Sequence, residues 1–491
     1  MTSSPGRRLF FWTLTCLFFV TTIAVLFFTF GYRFDTKRGL FIHTGSFTLK
    51  VTPIENVTLQ VDGKIVPTKT LNILNNAFHI DGQVPGEHFL RVEVPGYFPW
   101  EKKAVIESGR STEFWNITLI SKEYPAVLVA DTESVRKIFP SPESNLFALL
   151  GTRDGGVIIG TLDTDTMLTS EIAFIPKVNL KQTDDENLEW SPDTKQLLAP
   201  LMGEDGQGVS FLIDIESGSV INLTEKFGIS DAPDMRYARW DGRRDGVFYF
   251  LEGSTLYTWS REALDTPPTT LIPGISGYDI SENFIYFIDA KTSIIFRLKS
   301  GGSIEDAEQV TEKEIQNPAS SIALTVYDED RIAIRNREDG TLFIFNRGQE
   351  DYFHTLGTAI RTVQFSNDGK KLLFASDTQL SVSFIRPWNT QPTRTEDEVL
   401  QIARFAIPIR FVQWTKDYEH ILFAYDTSIK TVELDHRDRR DMQTVQTLSR
   451  PPIQLLADFP GDQLFLIEQK EGSTLSTIPF PIVPIKEIVT Q

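Results

Sequence analysis

The sequence predicts a mostly β protein with an N-terminal transmembrane helix, a small β-sandwich and an eight-bladed β-propeller. Three observations support this fold class. One uncharged apolar stretch opens the chain, short runs of period-two alternation follow it, and an aromatic-turn-strand unit then recurs about every 46 residues. The predicted boundaries are a tail at 1–8, the span at 9–30, a linker at 31–43, the sandwich at 44–120 and the propeller at 121–491.

The composition is that of a folded protein with an acidic surface. Of 491 residues, 41% are hydrophobic, and Asp+Glu 66 against Lys+Arg 48 give a formal net charge of −18. This charge argues against nucleic-acid binding, which needs positive charge to displace counterions. The single cysteine, Cys16, allows no intramolecular disulfide, and an exported protein without disulfides favours a bacterial cell surface.

The stretch from Leu9 to Phe30 contains no charged residue. At ~1.5 Å per residue it reaches roughly 33 Å, which is enough for the hydrocarbon core of a bilayer. It is too long for a typical signal peptide, and no small-x-small cleavage site precedes Gly31, so we expect an uncleaved single span in the cell membrane. Large domains translocate regardless of nearby charge, which predicts the N-terminus inside and the bulk of the chain outside the cytoplasm.

The region after the linker alternates with period two in several short runs. Pro-Gly pairs beginning at Pro85 and Pro95 bracket one such run, in which Leu90, Val92 and Val94 share a face. Each Pro-Gly pair has turn chemistry, because proline fixes φ and glycine tolerates a positive φ. Four or more short strands with one apolar face each predict the β-sandwich at 44–120.

The segment "QVPGEHFLRVEVPGYFPWEKKAVIESG" resembles the end of a PEGA domain, and "VTLQVDGK" resembles an earlier strand of that family. The resemblance covers roughly residues 45 to 120, and it departs at the name-giving tetrapeptide, where this chain has Pro53-Ile54-Glu55-Asn56. It implies an envelope-associated β module without catalytic residues. It also assigns His88 to the turn before the alternating strand.

Eight repeats divide the remaining chain. They begin at Phe139, Trp190, Trp240, Tyr278, Tyr327, Phe365, Trp414 and Phe459. A period of about 40 to 50 residues with several strands per unit is typical of propeller blades, and seven blades follow if one repeat lies outside the ring. The run Ala126–Ala130 is predicted to pair with the last blade. "FSNDGKKLLFAS" and "WSPDTKQLLAP" resemble the blades of TolB-type propellers.

The sequence shows no catalytic, cofactor-binding or metal-ligating motif. There is no G-x-S-x-G, H-E-x-x-H or C-x-x-C, and no ligand-binding residue is assigned. The six histidines are scattered: His43, His79, His88, His354, His420 and His436. Two acidic clusters lack the EF-hand spacing and are interpreted as solvated loops: Asp163 with Asp165, and Asp184 with Asp185 and Glu186. The paired carboxylates of a glycoside hydrolase cannot be picked out by sequence inspection among this many acidic residues.

Three functions remain open. A membrane-anchored, non-catalytic binding or scaffolding protein of the cell envelope, with a protein or glycan partner, agrees best with an anchor, a PEGA-like module and a propeller. A propeller hydrolase of envelope glycans or peptides would need clustered channel acids with raised pKa values. A sensor ectodomain is the third function. The long gaps after Phe139 and Trp190 predict extended loops at Thr161–Asn187 and Gly203–Gly208 as a partner surface.

Overall fold

The computed structural model shows a mostly β protein. The described residues are 5–35, 39–67, 69–70, 76–131, 135–142, 145–181, 188–228, 235–263, 265–315, 319–348, 351–458, 462–469 and 473–479. The helices in these ranges are α1 (Pro5–Thr29), the single turn α2 (Leu223–Lys226), and two 3₁₀ turns at Arg261–Ala263 and Ile304–Asp306.

The first helix, α1, has the properties of a membrane span. Its apolar side chains are exposed, and among the described residues it is the one helix long and apolar enough to cross a bilayer. The hydroxyls of Thr13 and Thr15 donate to the carbonyls of Leu9 and Phe11 at 2.9 Å, so these polar groups are satisfied within the helix. The helix includes almost all of the predicted span and begins a turn earlier.

The segment predicted as a linker is an antiparallel hairpin of β1 (Tyr32–Asp35) and β2 (Leu40–His43). The Phe34 and Phe41 rings lie 5.3 Å apart, and the Phe41 ring lies 5.8 Å from that of Phe27 in α1. Phe34 and Phe41 are still 56% and 62% exposed, so the hairpin continues the apolar surface of the helix. The residues predicted as a linker thus contain a short hairpin, in which a cross-strand aromatic pair stabilises even four-residue strands.

Two four-stranded sheets form a β-sandwich. Their strands are β3 (Gly45–Thr52), β4 (Thr58–Val61), β5 (Lys64–Ile65), β6 (Lys69–Thr70), β7 (Ala77–Gln83), β8 (Gly86–Glu93), β9 (Trp100–Ile106) and β10 (Ser111–Thr118). The strand orders are β10-β3-β7-β6 and β5-β4-β8-β9, and only β10 and β3 are parallel. Phe47, Trp100 and Phe114 pack in the core between the sheets.

The strand β8 is the one that the Pro-Gly pairs bracket. Leu90 and Val92 are 1% and 0% exposed, whereas Phe89 on the other face is 38% exposed, which confirms the predicted alternation. The turn glycines Gly86 and Gly96 have φ values of 146° and 86°, a region that glycine enters without steric cost.

Eight antiparallel sheets follow in the described residues, and consecutive strands pair within each, except that the first two strands of sheet 2 both pair with its third. Sheet 8 also takes in the first strand of the region, β11 (Val127–Asp131). Sheet 1 contains β12 (Val135–Pro140), β13 (Leu146–Arg153), β14 (Gly156–Asp163) and β15 (Leu168–Pro176), and sheet 2 contains β16 (Val178–Leu180), β17 (Glu189–Trp190), β18 (Gln196–Gly203), β19 (Gly208–Asp214) and β20 (Val220–Asn222). Sheet 3 contains β21 (Arg236–Trp240), β22 (Val247–Glu252), β23 (Thr255–Ser260) and β24 (Thr269–Ile272), and sheet 4 contains β25 (Ile275–Ser281), β26 (Phe284–Asp289), β27 (Ile295–Lys299) and β28 (Glu308–Gln309). Sheet 5 contains β29 (Ile322–Asp328), β30 (Arg331–Asn336), β31 (Leu342–Arg347) and β32 (Asp351–Gly357), and sheet 6 contains β33 (Ile360–Phe365), β34 (Lys371–Ser376), β35 (Gln379–Phe384) and β36 (Glu398–Arg404). Sheet 7 contains β37 (Ile409–Trp414), β38 (His420–Tyr425), β39 (Ser428–Glu433) and β40 (Met442–Thr447), and sheet 8 contains β41 (Gln454–Asp458), β42 (Gln463–Gln469) and β43 (Ser473–Pro479).

Most repeat aromatics stand at or near the end of the first strand of a sheet, before the polar turn. Trp190 instead ends the second strand of sheet 2, Tyr278 lies at the centre of β25, and Phe459 lies outside the described residues. The indole of Trp190 donates to the backbone carbonyl of Phe139 at 3.1 Å, and the indole of Trp414 donates to the backbone carbonyl of Gln364 at 3.2 Å. The aromatic of one sheet thus reaches the backbone of the preceding sheet.

Side-chain to backbone hydrogen bonds also link the first strands of successive sheets. Gln413 of sheet 7 accepts from the Ala457 amide of sheet 8 at 3.0 Å. Gln454 of sheet 8 donates to the Ile138 carbonyl at 2.9 Å and accepts from its amide at 2.7 Å, which joins sheet 8 to sheet 1. The strand β11 pairs with β43, as the run at 126–130 predicts. Consecutive meanders joined through their first strands are the architecture of a β-propeller.

The prediction of extended loops in the first two sheets is wrong. Strands β15 and β16 occupy much of Thr161–Asn187, and 182–187 lie outside the described residues. The segment Gly203–Gly208 closes as a tight turn, in which the Gly203 amide donates to the Gln207 carbonyl at 2.8 Å. The extra length of these repeats therefore lies largely in longer strands, so it does not identify a partner surface.

Candidate functional site

Two adjoining cavities lie where the first strands of several sheets converge. One, of ≈ 170 Å³, is bounded by residues of sheets 2 to 5, and the other, of ≈ 320 Å³, by residues of sheets 3, 5 and 6. They share Arg239, Leu324 and Arg337. Because sheets 3 and 6 are not neighbours in the chain, the larger cavity lies towards the centre of the arrangement, where propellers have their channel.

Beside these cavities, one guanidinium group lies between two carboxylates. Arg239 places Nε 3.1 Å from Glu189 Oε2 and Nη1 3.1 Å from Asp279 Oδ1. Glu189 Oε1 accepts from the Trp240 amide, and Asp279 Oδ2 accepts from the Val326 amide, both at 3.0 Å. These three charged side chains therefore connect sheets 2, 3, 4 and 5.

Burial governs the protonation of this trio. It raises the pKa values of Glu189 and Asp279 above their ordinary values, and the charge of Arg239 offsets only part of that rise. Burial alone would lower the pKa of Arg239, but the two carboxylates outweigh it and raise that pKa, so the guanidinium stays charged. Raised carboxyl pKa values are what the hydrolase alternative requires, yet here a guanidinium occupies the space between the two acids.

The larger cavity, which we name the arginine cavity, is lined by four arginines: Arg239, Arg335, Arg337 and Arg361. The guanidinium of Arg337 lies 3.6 Å from the ring centroid of Tyr237. Arg361 Nε lies 3.4 Å from Asp377 Oδ1 in a pair whose side chains are 72% and 60% exposed. Among the lining residues that the structure describes there is no carboxylate. Guanidinium groups are able to bind carboxylate and phosphate bidentately.

The smaller cavity has a different surface. Its described lining is largely apolar or aromatic and includes Leu198, Pro200, Met235, Tyr237 and Tyr278. Ser210 and Glu189 add a hydroxyl and a carboxylate. Together the two cavities combine several arginines with an aromatic and apolar wall, and small-molecule sites commonly combine a few polar groups with apolar surface.

Of the two acidic clusters, the structure describes the one at Asp163 and Asp165. In the part of the chain that the structure describes, no three His, Cys, Asp or Glu side chains come together as metal ligands. Asp163 Oδ1 accepts from the amides of Asp165 and Thr166 at 3.0 and 2.8 Å, so it stabilises its own turn. Asp184, Asp185 and Glu186 lie outside the described residues.

Two of the six histidines have clear structural roles. His88 places Nδ1 2.7 Å from Asp62 Oδ2 and Nε2 2.6 Å from the Val84 carbonyl, so it joins two turns of the sandwich. His420 Nδ1 lies 2.7 Å from Asp417 Oδ2. Burial lowers the pKa of His420, but the adjacent carboxylate outweighs burial and raises it to about 9.

A buried charged cluster joins the sandwich to sheet 7. Lys102 of β9 has 0% of its side chain exposed, and its Nζ lies 2.5 Å from Glu433 Oε1. It also donates to the carbonyls of Asp435 and Arg437 at 2.9 and 3.1 Å. Trp100 Nε1 donates to Glu433 Oε2 at 3.2 Å. We name these five residues the docking cluster.

Bonds to the backbone surround the docking cluster. Gln391 accepts from the Glu113 amide at 3.0 Å and donates to the Ser111 carbonyl at 3.1 Å. Asp438 accepts from the Lys103 amide at 3.0 Å. Because these partners are backbone groups of ordered strands, the contacts fix the sandwich against the propeller.

The sequence analysis predicted neither the docking cluster nor the arginine cavity, although each leaves a weak signal in the sequence. In β9, Trp100, Ala104 and Ile106 point inward, so Lys102 stands at an inward position of an alternating strand. A lysine there predicts a buried partner. Arg335 and Arg337 alternate at the end of β30, but nothing in the sequence indicates which arginines of other sheets lie near them.

The sequence matches no protein-family model and no curated protein sequence. Solved structures that resemble the chain include one described as a Dos1 propeller, at 11% identity and TM-score 0.46, covering 74% of this chain and 98% of that one. Hsv2 of Kluyveromyces lactis has 11% identity and TM-score 0.40, covering 64% and 98%. A prolyl endopeptidase has 11% identity and TM-score 0.40, covering 70% and 54%. The propeller assignment rests on the sheets described above.

Proposed function

We propose that the protein is a non-catalytic recognition platform, held on the bacterial cell membrane by α1 and displaying its propeller outside the cytoplasm to a protein or glycan partner of the envelope. The sandwich is taken as the PEGA-like module of residues 44–120. The eight sheets are taken as the eight blades of one ring, closed by β11 on β43 and by the bonds between Gln454 and Ile138.

The docking cluster is the observation that carries this proposal. A flexible stalk would leave the propeller free to tumble. Here the buried bonds from Lys102 to Glu433 and to the carbonyls of Asp435 and Arg437 hold the sandwich against sheet 7. A rigid propeller keeps its exposed turns in one orientation, and this lowers the ordering cost of binding a partner. The exposed rings of Phe34 and Phe41, next to α1, suit the headgroup boundary of the same bilayer.

Crosslinking in intact cells tests the platform. A photoreactive side chain is placed at Leu168, Val220 or Val399, which are exposed positions of the propeller sheets, and at Val105 of the sandwich as the matched control. We expect at least one propeller position to give a discrete adduct that recurs with the same partner, and Val105 to give none. If all three propeller positions fail while the protein is folded and at the membrane, the platform proposal is wrong.

Protease treatment tests the orientation. Protease added to intact cells, or to spheroplasts where an outer membrane intervenes, should digest the region after Gly31. Protection until lysis would place the propeller in the cytoplasm.

A hydrolase remains the second candidate, because burial raises the pKa values of Glu189 and Asp279 beside a cavity. The test is turnover of envelope glycans or peptides by the purified protein. Turnover that Glu189→Gln and Asp279→Asn each abolish, in variants that stay folded, would favour the hydrolase over the platform. Turnover that these variants retain would come from another site or a contaminant.

A further inference from the structure

The arginine cavity runs against the charge of the rest of the protein. The chain carries a formal net charge of −18, yet four guanidinium groups line one cavity of ≈ 320 Å³. They come from sheets 3, 5 and 6, so they are brought together by the fold and not by proximity in sequence. Like charges that converge in a concave site repel each other, and an anion relieves that repulsion.

Two of the four arginines form ion pairs that the structure describes. Arg239 is held by Glu189 and Asp279, which fixes its position on one wall. The pair of Arg361 with Asp377 is exposed on both sides, so solvent screens it and an incoming anion can compete with it. Apart from the arginines, the described lining consists of Thr325 and of apolar residues of sheets 5 and 6.

The adjoining cavity extends the site. It shares Arg239 and Arg337 with the arginine cavity, and it places Tyr237 and Tyr278 next to them. Ligand sites typically occupy about 300–1,000 Å³ and combine an apolar body with a few polar groups. The arginine cavity, of ≈ 320 Å³, falls at the lower end of that range, and the adjoining cavity adds ≈ 170 Å³. They fit a small molecule better than a folded partner.

We propose that these cavities bind a small amphipathic anion, with its phosphate or carboxylate head group on Arg335, Arg337 and Arg361 and its uncharged body against Tyr237 and Tyr278. This site goes beyond the platform function, since the outer surface of the propeller can bind a partner whether or not the cavity is filled. Bidentate bonds from arginine fix the head group, and the aromatic wall selects a ligand with a planar or apolar body.

Calorimetric titration of the full-length protein in nanodiscs tests the site. The probes are phenyl phosphate, inorganic phosphate and benzoate. We expect saturable binding of phenyl phosphate or benzoate that is tighter than the binding of inorganic phosphate. The binding should weaken at high salt, because the Debye screening length falls to a few ångströms near ~1 M. The stronger of the two aromatic probes identifies the head group as phosphate or carboxylate.

The variants separate this site from non-specific attraction. Arg337→Gln should weaken binding roughly tenfold or more, because it removes a charge-assisted bond. Arg361→Gln, at an exposed position that folding tolerates, should weaken it roughly threefold or more. Arg153→Gln is the matched control, because Arg153 forms an exposed pair with Glu171 at 2.6 Å in sheet 1 and should have no effect.

Two results would overturn the proposal. One is the lack of saturable binding of any probe up to ~10 mM, which is weaker than a specific site of this kind should be. The other is binding that Arg337→Gln and Arg361→Gln leave unchanged. If Arg337→Gln unfolds the protein, Arg361→Gln decides alone. Partner crosslinking is measured separately, so loss of either function is seen independently of the other.

Discussion

Replacing Lys102 by methionine should release the sandwich from the propeller. The side chain is fully buried, and its ammonium group bonds Glu433 and the carbonyls of Asp435 and Arg437. Methionine has a similar length but cannot donate, so the Glu433 carboxylate loses its cation inside the interface. Removing one partner of a buried ion pair costs about 3–5 kcal/mol. Since each ~1.4 kcal/mol is tenfold, the undocked population should rise at least about a hundredfold.

Hydrogen exchange measured by mass spectrometry reports this release directly. Peptides that cover Trp100–Ile106 and 433–441 should lose protection in Lys102→Met, while peptides of sheets 2 to 4 should not. Lys103→Met is the matched control, because its side chain is 57% exposed and its change should stay within about 0.5 kcal/mol. Lys102→Met/Glu433→Gln should recover part of the protection, because no uncompensated charge remains.

The defect should also depend on pH. Burial already raises the pKa of Glu433, with Lys102 lowering it in part, so removal of Lys102 raises it further. A carboxyl whose pKa is raised on folding binds its proton more tightly in the folded state, and stability falls as pH rises through that pKa. Lys102→Met should therefore be closer to wild type at pH ~5 than at pH ~8. Equal protection in Lys102→Met and Lys103→Met would refute the role of the docking cluster.

Three further predictions concern other parts of the fold. Because the pKa of His420 is raised to about 9, its stabilising charge is fully present below the ordinary value and lost as pH rises through about 9. The urea midpoint of the wild type should fall over that window, and a His420→Gln variant with the same slope would contradict this. A Cβ on Gly277 would lie 2.3 Å from the Ile322 carbonyl oxygen, so Gly277→Ala should destabilise by about 1–3 kcal/mol in urea unfolding, whereas Gly242→Ala, at 3.7 Å, should cost far less. Phe41→Ser should speed hydrogen exchange of the hairpin in lipid nanodiscs, and exchange as slow as that of the wild type would argue against contact with the bilayer.

Local patterns were enough to predict the main elements of the fold. The apolar run predicted α1, and the Pro-Gly pairs predicted the bounds of β8, because both depend on neighbouring residues. Most of the repeat aromatics lie at or near the end of the first strand of a described sheet. The hairpin of β1 and β2 was missed because each strand has only four residues.

The candidate sites depend on contacts that no local pattern encodes. Trp100 and Glu433 are 333 positions apart in sequence, and the arginine cavity joins residues of sheets 3, 5 and 6. Their meeting follows from the order of the sheets around the propeller. The inward position of Lys102 showed that a partner was needed, but its identity required the fold.

Rigid coupling of the sandwich to the propeller is the central claim, and an electron-spin distance measurement tests it most directly. The single cysteine lies in α1, so Cys16→Ala gives a cysteine-free background, and labels are then attached through Val105→Cys in the sandwich and Val220→Cys in sheet 2. In nanodiscs we predict one narrow distance distribution, which Lys102→Met broadens. A broad distribution in the protein with an intact docking cluster would contradict the claim.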